Sequence, residues 1–256
     1  PAMAELFRNC GVKVPIYSFP QPIDVSEGDR HWDKFDMPEH KGFLFYSIFQ
    51  WIERKNPKDL LKAYWREFSG RNDVSLLLKT YRVNYSADEY EKIQFDIERW
   101  KRELHLVHFP RVLISTKLLT HEELMRLHAT GDCYVTADHG EGWCRPVQEA
   151  MVMGKPVIAT ARGGIHEHLD EEHYFRVPSA YVPVVQQPWI PWYTSEQNWA
   201  QPNLIELQKK MKQVFANQEL AQIKGYKAKD FMKENFNYKV VGEAMKDRLE
   251  KISKAL

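Results

Sequence analysis

At 256 residues with 43% hydrophobic side chains, the chain is long enough to bury a substantial core. Thirty-six basic residues against thirty-five acidic ones leave a formal charge of +1, so no global field recruits nucleic acid or an anionic membrane, and an anionic ligand must be met by a local cluster. Three cysteines, Cys10, Cys133 and Cys144, cannot all pair and form no CxxC or Cys/His ligand set, which points to a reducing, cytoplasmic setting. No run of about 18 apolar residues suits a membrane span, and the N-terminus lacks the basic-then-apolar layout of a signal peptide.

Residues 1–41 carry prolines and charges without a sustained period, as a linker or N-terminal extension would. The opening PAMA reads like a cloning remnant, which suggests a piece of a longer protein. From Gly42 the texture changes. FLFYSIF is an aromatic and β-branched run that predicts a strand. It is followed by a helix opened by Pro57, in which Leu60, Leu61, Tyr64, Trp65 and Phe68 recur at helical spacing. The alternation then repeats. Strands are expected at 74–81, 111–116, 133–137 and 156–160. Helices are expected at 87–104, at 120–130 behind a Thr120/Glu123 capping box, and over RPVQEAMVM, with Gly154 its C-cap. GIHEHL reads as a further short helix. Such alternation predicts an α/β fold over 42–202, a Rossmann-like doubly wound parallel sheet. The strip 177–202 interleaves prolines with Trp189, Trp192, Tyr193 and Trp199, which suits an ordered irregular segment anchored by aromatic packing. Residues 203–256 read as closing helices whose lysines in LQKKMKQ form a wet face, with a peripheral membrane role as the less favoured reading.

Open parallel sheets bind ligands outside the carboxyl ends of their strands, and DHGEGWCR, 138–145, follows the strand at 133–137. Gly140 and Gly142 allow sharp turns there, and Pro146 suits the first turn of a helix whose free N–H groups would face the loop and favour phosphate. Glu141 and Glu149 stand eight positions apart, one in the loop and one a turn inside the helix, where a carboxylate can accept sugar hydroxyls. Solvation and the helix dipole would account for the same two glutamates. Gly163 and Gly164 either supply further phosphate-facing N–H groups or cap a short helix. Cys144 lies beside Arg145 near a helix start, conditions that lower a thiol pKa, yet no His/Asn partner set marks it as a nucleophile. His166 and His168 are two apart and flank Glu167, which is not a metal-binding spacing.

The run EGWCRPVQEAM, followed by MGKPVIAT and RGGIHE, resembles the signature of the retaining glycosyltransferases of family 4 (group 1). These have the GT-B fold and carry a Glu-x7-Glu pair in their C-terminal nucleotide-sugar-binding domain. The resemblance extends to ERKNPKDLLKAYWRE, THEELMRLHATGDCYVTA and WAQPNLIELQKKM, covering most of residues 42–217. It implies that Glu141 meets the donor sugar and Glu149 the nucleotide ribose. It places the backbone of Gly142, Trp143 and Cys144 along sugar and diphosphate, and that of Lys117 and Leu118 at the base. By its position next to the loop, His139 is either an exposed loop histidine or a contact to the donor. Lys55 and Arg54 would neutralise the diphosphate leaving group, in keeping with cations otherwise disfavoured at a helix N-terminus.

The family's Gly-Arg after its first strand is here SIFQ, so Ser47 or Gln50 would stand in as neutral donors. The usual E-G-F-G is E-G-W-C. The implied substrates are a UDP- or GDP-linked sugar and a hydroxyl acceptor on a glycan, lipid or protein. No cofactor and no metal are implied, in keeping with the lack of a DxD motif. The implied acceptor domain ahead of residue 42 would have to come from a longer chain or a partner, so transfer by this chain alone is not expected. A GT-B epimerase or phosphorylase and a non-catalytic nucleotide-sugar-binding module are the alternatives.

Overall fold

The computed structural model describes residues 2–86, 88–185 and 190–254. Its short apolar runs become β1 (Phe43–Gln50), β2 (Val74–Tyr81), β3 (Arg111–Ser115), β4 (Cys133–Val135), β5 (Val157–Thr160) and β6 (Phe175–Val177). They hydrogen-bond in the order β3-β2-β1-β4-β5-β6, and every pairing is parallel. A parallel sheet covered on both faces needs apolar residues at successive positions, and β1 supplies them by alternation. Phe43, Phe45 and Phe49 enter one core; Leu44 and Tyr46 enter the other. The order reverses between β1 and β4, leaving a crevice at their carboxyl ends.

Helix α1 (Ala2–Asn9) lies at the N-terminus, and α2 (Pro57–Phe68), α3 (Glu89–Arg102), α4 (His121–Thr130) and α5 (Arg145–Val152) alternate with the strands. Thr120 accepts from the Glu123 N–H and the Glu123 carboxylate accepts from the Thr120 N–H, completing the predicted capping box. Gly154 follows α5 with a φ of +68°, as a C-terminal glycine should.

The prolines of the strip after β6 suggested irregular chain, yet it contains an antiparallel pair, β7 (Ser179–Pro183) and β8 (Asn198–Pro202). Pro183 and Pro202 fall at the strand ends, where the missing N–H costs little of the ladder. Trp199 is buried as an anchor, whereas Trp192 is 68% exposed and packs on little. Trp189 lies outside the described residues.

Helices α6 (Leu204–Ala216), α7 (Gln218–Asn235) and α8 (Tyr238–Ser253) close the chain. Each begins at an asparagine, Asn203, Asn217 or Asn237, whose side chain accepts a first-turn N–H. The segment before β1 does more than connect: Ile23 pairs with Asn237, Ile23 and Phe35 are buried, and the Gln21 carbonyl accepts from Gln148 at 2.8 Å.

Candidate functional site

At the carboxyl end of β1 the chain makes a turn at Glu53–Lys55 and enters α2 through Asn56, whose left-handed backbone and side-chain acceptor cap that helix. This delivers Arg54 and Lys55 to the crevice. The loop after β4 brings Glu141 to meet them: Arg54 Nη1 lies 2.6 Å from Glu141 Oε1, and Lys55 Nζ pairs with the same oxygen. Only 13% of the Lys55 side chain and 11% of that of Glu141 are exposed, so the pairs are poorly screened. Burial disfavours the Arg54 charge, but the Glu141 carboxylate outweighs it and holds the guanidinium above its ordinary pKa.

The loop is fixed by its backbone. His139 N–H donates to the Arg54 carbonyl at 2.8 Å, and Arg54 Nη1 donates to the Gly140 carbonyl at 2.7 Å. His139 was read as an exposed loop residue or a donor contact. It is buried, its Nδ1 lies 2.9 Å from the Ala200 carbonyl, and its ring stacks on Trp199 at 4.2 Å. Its edge still lines the crevice, while burial lowers its pKa.

Gly163 and Gly164 have φ of +68° and +56°. A Cβ on Gly163 would lie 2.9 Å from the Glu141 carbonyl oxygen, and one on Gly164 2.8 Å from Trp143 Cα. Gly163 starts the short 3-10 helix Gly164–His168, the capping role open to these glycines, and both also pack the loop after β5 closely on the glutamate loop, reinforced by Ile165 N–H donating to the Trp143 carbonyl. The Trp143 side chain turns toward α5, its Nε1 donating to Gln148 at 3.0 Å.

Cys144 corrects a second expectation. Its φ is +67°, a conformation that suits the glycine usual at this point. The side chain is directed into the core, 5% exposed, and burial pushes the thiol well above its ordinary pKa despite the adjacent helix start. Ser47 is also corrected: it lies within β1, fully buried with its hydroxyl unpaired, whereas Gln50, three residues on, reaches the crevice.

Three depressions lie around these loops and the start of α5. One of about 390 Å³ is lined by Gln50, Arg54, Lys55, Lys79, Leu118 and Pro146 among others. Arg54 also lines a larger one of about 850 Å³ with His139, Glu141, Gly142, Arg162 and His166. A third, about 220 Å³, contains Glu149, Arg145, Glu27 and His121. Lys117 is exposed beside Leu118 and lines none of the three.

Thus Glu141, Arg54 and Lys55 are brought together, and Glu149 is not joined to them. Glu149 pairs instead with Arg145 at 3.3 Å, its other oxygen lies 3.4 Å from Nε2 of the buried His128 without a hydrogen bond between them, and His128 Nδ1 lies 3.0 Å from the Tyr46 hydroxyl. The first and third depressions are nonetheless neighbours, because consecutive residues line them: Leu124 and Met125, Pro146 and Arg145.

Sequence reading missed three groups. Asp138, three residues beyond β4, is buried and accepts from the Thr136 hydroxyl at 2.8 Å; burial, then the nearby Glu141 charge, raise its carboxyl to about 6, while Lys55 and Arg54 pull it down. His128 sits behind Glu149 in a helix whose pattern marks it only as core. Lys79 was visible as the one charge in the apolar run VSLLLKTY.

Residues 40–183 match the family described as glycosyl transferases group 1. No curated protein sequence matches significantly. Sucrose-phosphate synthase from Thermosynechococcus elongatus aligns over 100% of this chain and 57% of its own at 16% identity, TM-score 0.70. HepE from Anabaena, in complex with UDP-glucose, aligns over 82% of this chain and 49% of its own at 16% identity, TM-score 0.56. The C-terminal domain of LpcC, a group 1 family protein from Francisella tularensis, aligns over 78% of this chain and 89% of its own at 15% identity, TM-score 0.55. At these identities the likeness establishes the fold, that of a GT-B C-terminal domain, and the chain spans about half the length of the first two structures.

Proposed function

The chain belongs to the glycosyl transferases group 1 family, and we propose that it is the donor-binding half of a retaining enzyme that moves a sugar from UDP or GDP to a hydroxyl acceptor. The observation that carries this reading is the convergence of Arg54 and Lys55 on Glu141 at the carboxyl ends of β1 and β4. Two cations held in a part-buried crevice beside the start of α5 suit a departing diphosphate, whose charge grows as the bond from sugar C1 to phosphate oxygen breaks. Glu141, next to those cations, would then accept hydroxyls of the sugar. Retention proceeds by early departure of the diphosphate and attack by the acceptor on the same face, which asks the protein for a charge clamp and positioning rather than a nucleophile. The buried Cys144 thiol, pushed up in pKa, fits that absence of a nucleophilic role.

Glu149 would reach the ribose where the first and third depressions adjoin, Leu118 the base, and Gly142 and Trp143 the diphosphate and sugar through their backbone. The acceptor, on a glycan, a lipid or a protein, would be held by a second GT-B domain, supplied by a longer chain or a partner. That this chain spans about half the length of the first two matched structures supports such a division. A donor-turnover assay tests it. The chain alone should bind a nucleotide sugar without appreciable transfer, and normal transfer with no other polypeptide present would contradict the division of labour.

A further inference from the structure

Lys79 occupies the penultimate position of β2, an unusual place for a cation because its flanks are core. The residue is 6% exposed, yet it lines the 390 Å³ depression together with Arg54 and Lys55. No aspartate or glutamate lines that depression. Among the described residues, Arg54 and Lys55 are paired with Glu141, while Lys79 has neither an ion-pair partner nor a hydrogen bond. Its ammonium lies instead over aromatic faces, 5.1 Å from the Tyr85 centroid and 6.0 Å from that of Tyr81. These two rings stack on each other at 4.3 Å. Burial lowers the lysine to about 8, which records a desolvated charge without an acceptor.

The strand order says what the acceptor would be. Along the sheet edge the groups run from Pro146 after β4, to Arg54 and Lys55 after β1, to Lys79 in β2, to Leu118 after β3. With the diphosphate at Arg54 and Lys55 and the base at Leu118, as the donor-site reading above has them, Lys79 stands between the two in that order. Lysine presents three donors and no acceptor, so it complements a keto oxygen and faces an exocyclic amino group donor to donor. Resting on the donor-site reading above, we infer that Lys79 is the specificity-determining residue for the donor base, selecting a base that presents it a keto oxygen, O4 of uracil or O6 of guanine, over the counterpart with an amino group at that place, N4 of cytosine or N6 of adenine.

Calorimetric titration of this chain with UDP, CDP, GDP and ADP, with inorganic pyrophosphate as the base-free probe, tests the assignment. The keto member of at least one matched pair, UDP against CDP or GDP against ADP, should bind at least about tenfold tighter than its amino partner, since a site built around one hydrogen bond rejects the analogue lacking it. Lys79→Met, which keeps length and removes the donors, should bring that ratio below about threefold; Lys79→Gln, which can also accept, should narrow it as well. A ratio that persists in both variants, with affinities falling by a common factor, would make Lys79 a general phosphate counter-charge and overturn the inference. So would equal binding of keto and amino partners by the unaltered chain. Pyrophosphate binding with no binding of any of the four nucleotides would sink the donor-site reading itself, and this inference with it.

Discussion

Arg54 Nη1 stands 2.6 Å from Glu141 Oε1, so one of the two cations proposed to hold the leaving group is already engaged by the carboxylate proposed to hold the sugar. Lys55 shares that oxygen. On the proposed reading, a diphosphate entering the crevice would compete with Glu141 for both cations, and a sugar entering with it would compensate the carboxylate through its hydroxyls. The pairing would then favour the intact donor over the bare diphosphate.

Glu141→Gln frees both cations, and pyrophosphate should then bind several-fold more tightly, while discrimination in favour of the sugar-bearing donor falls. Calorimetry with pyrophosphate, UDP and UDP-glucose, and with GDP and GDP-mannose, reads both changes. A loss of pyrophosphate affinity would mean that Glu141 organises the cations rather than occupying them.

Glu149 lies one turn into α5, between Arg145 and His128. If the ribose reaches it where the two depressions adjoin, Glu149→Gln should weaken nucleoside diphosphate binding by about 1–3 kcal/mol and leave pyrophosphate unchanged. Unaltered nucleotide affinity with a lowered melting temperature would reduce Glu149 to a structural partner of His128.

His166 is 8% exposed and, among the described residues, both its ring nitrogens lack a partner; burial, reinforced by Arg176, lowers its pKa from 6.5 to about 4. Because the folded value lies below the unfolded one, the unfolded chain binds more protons between these limits, so stability rises with pH across that window and is lost as pH falls through it. The contribution is on the order of 3 kcal/mol at 1.36 kcal/mol per pH unit. Denaturant titrations at pH 7 and pH 4.5 should show a smaller loss for His166→Asn than for the parent chain; identical losses would contradict it.

Gly164 carries a φ of +56° and faces the Trp143 backbone at 2.8 Å from an added Cβ. Gly164→Ala should cost about 2 kcal/mol or more, combining left-handed strain with a backbone clash. Gly140, with nothing within 4 Å of an added Cβ, should tolerate alanine far better. Equal effects in chemical denaturation would argue against the proposed loop-on-loop packing.

The sheet was legible because strands buried on both faces must be apolar at successive positions, and the helices because Pro57 and the Thr120/Glu123 box mark their starts. The meeting of Glu141 with Arg54 and Lys55 was legible through a family pattern, since parallel topology gathers loops that sequence keeps 86 or 87 positions apart. What escaped depended on rotation about single bonds or on helix phase. A left-handed φ at Cys144 directs the thiol inward. The phase of α5 directs Glu149 toward His128 rather than Lys55, and prolines at the ends of β7 and β8 disguised a ladder as loop.

The central claim is that Arg54 and Lys55 form the diphosphate clamp of a donor site. The most direct measurement is the affinity of UDP and GDP for the unaltered chain and for Lys55→Met. Loss of one charge-assisted hydrogen bond costs about 1.5–3 kcal/mol, so the nucleotide that binds should do so roughly ten- to hundredfold more weakly in the variant. Failure of both nucleotides to bind, or equal affinity in the two proteins, would contradict the claim.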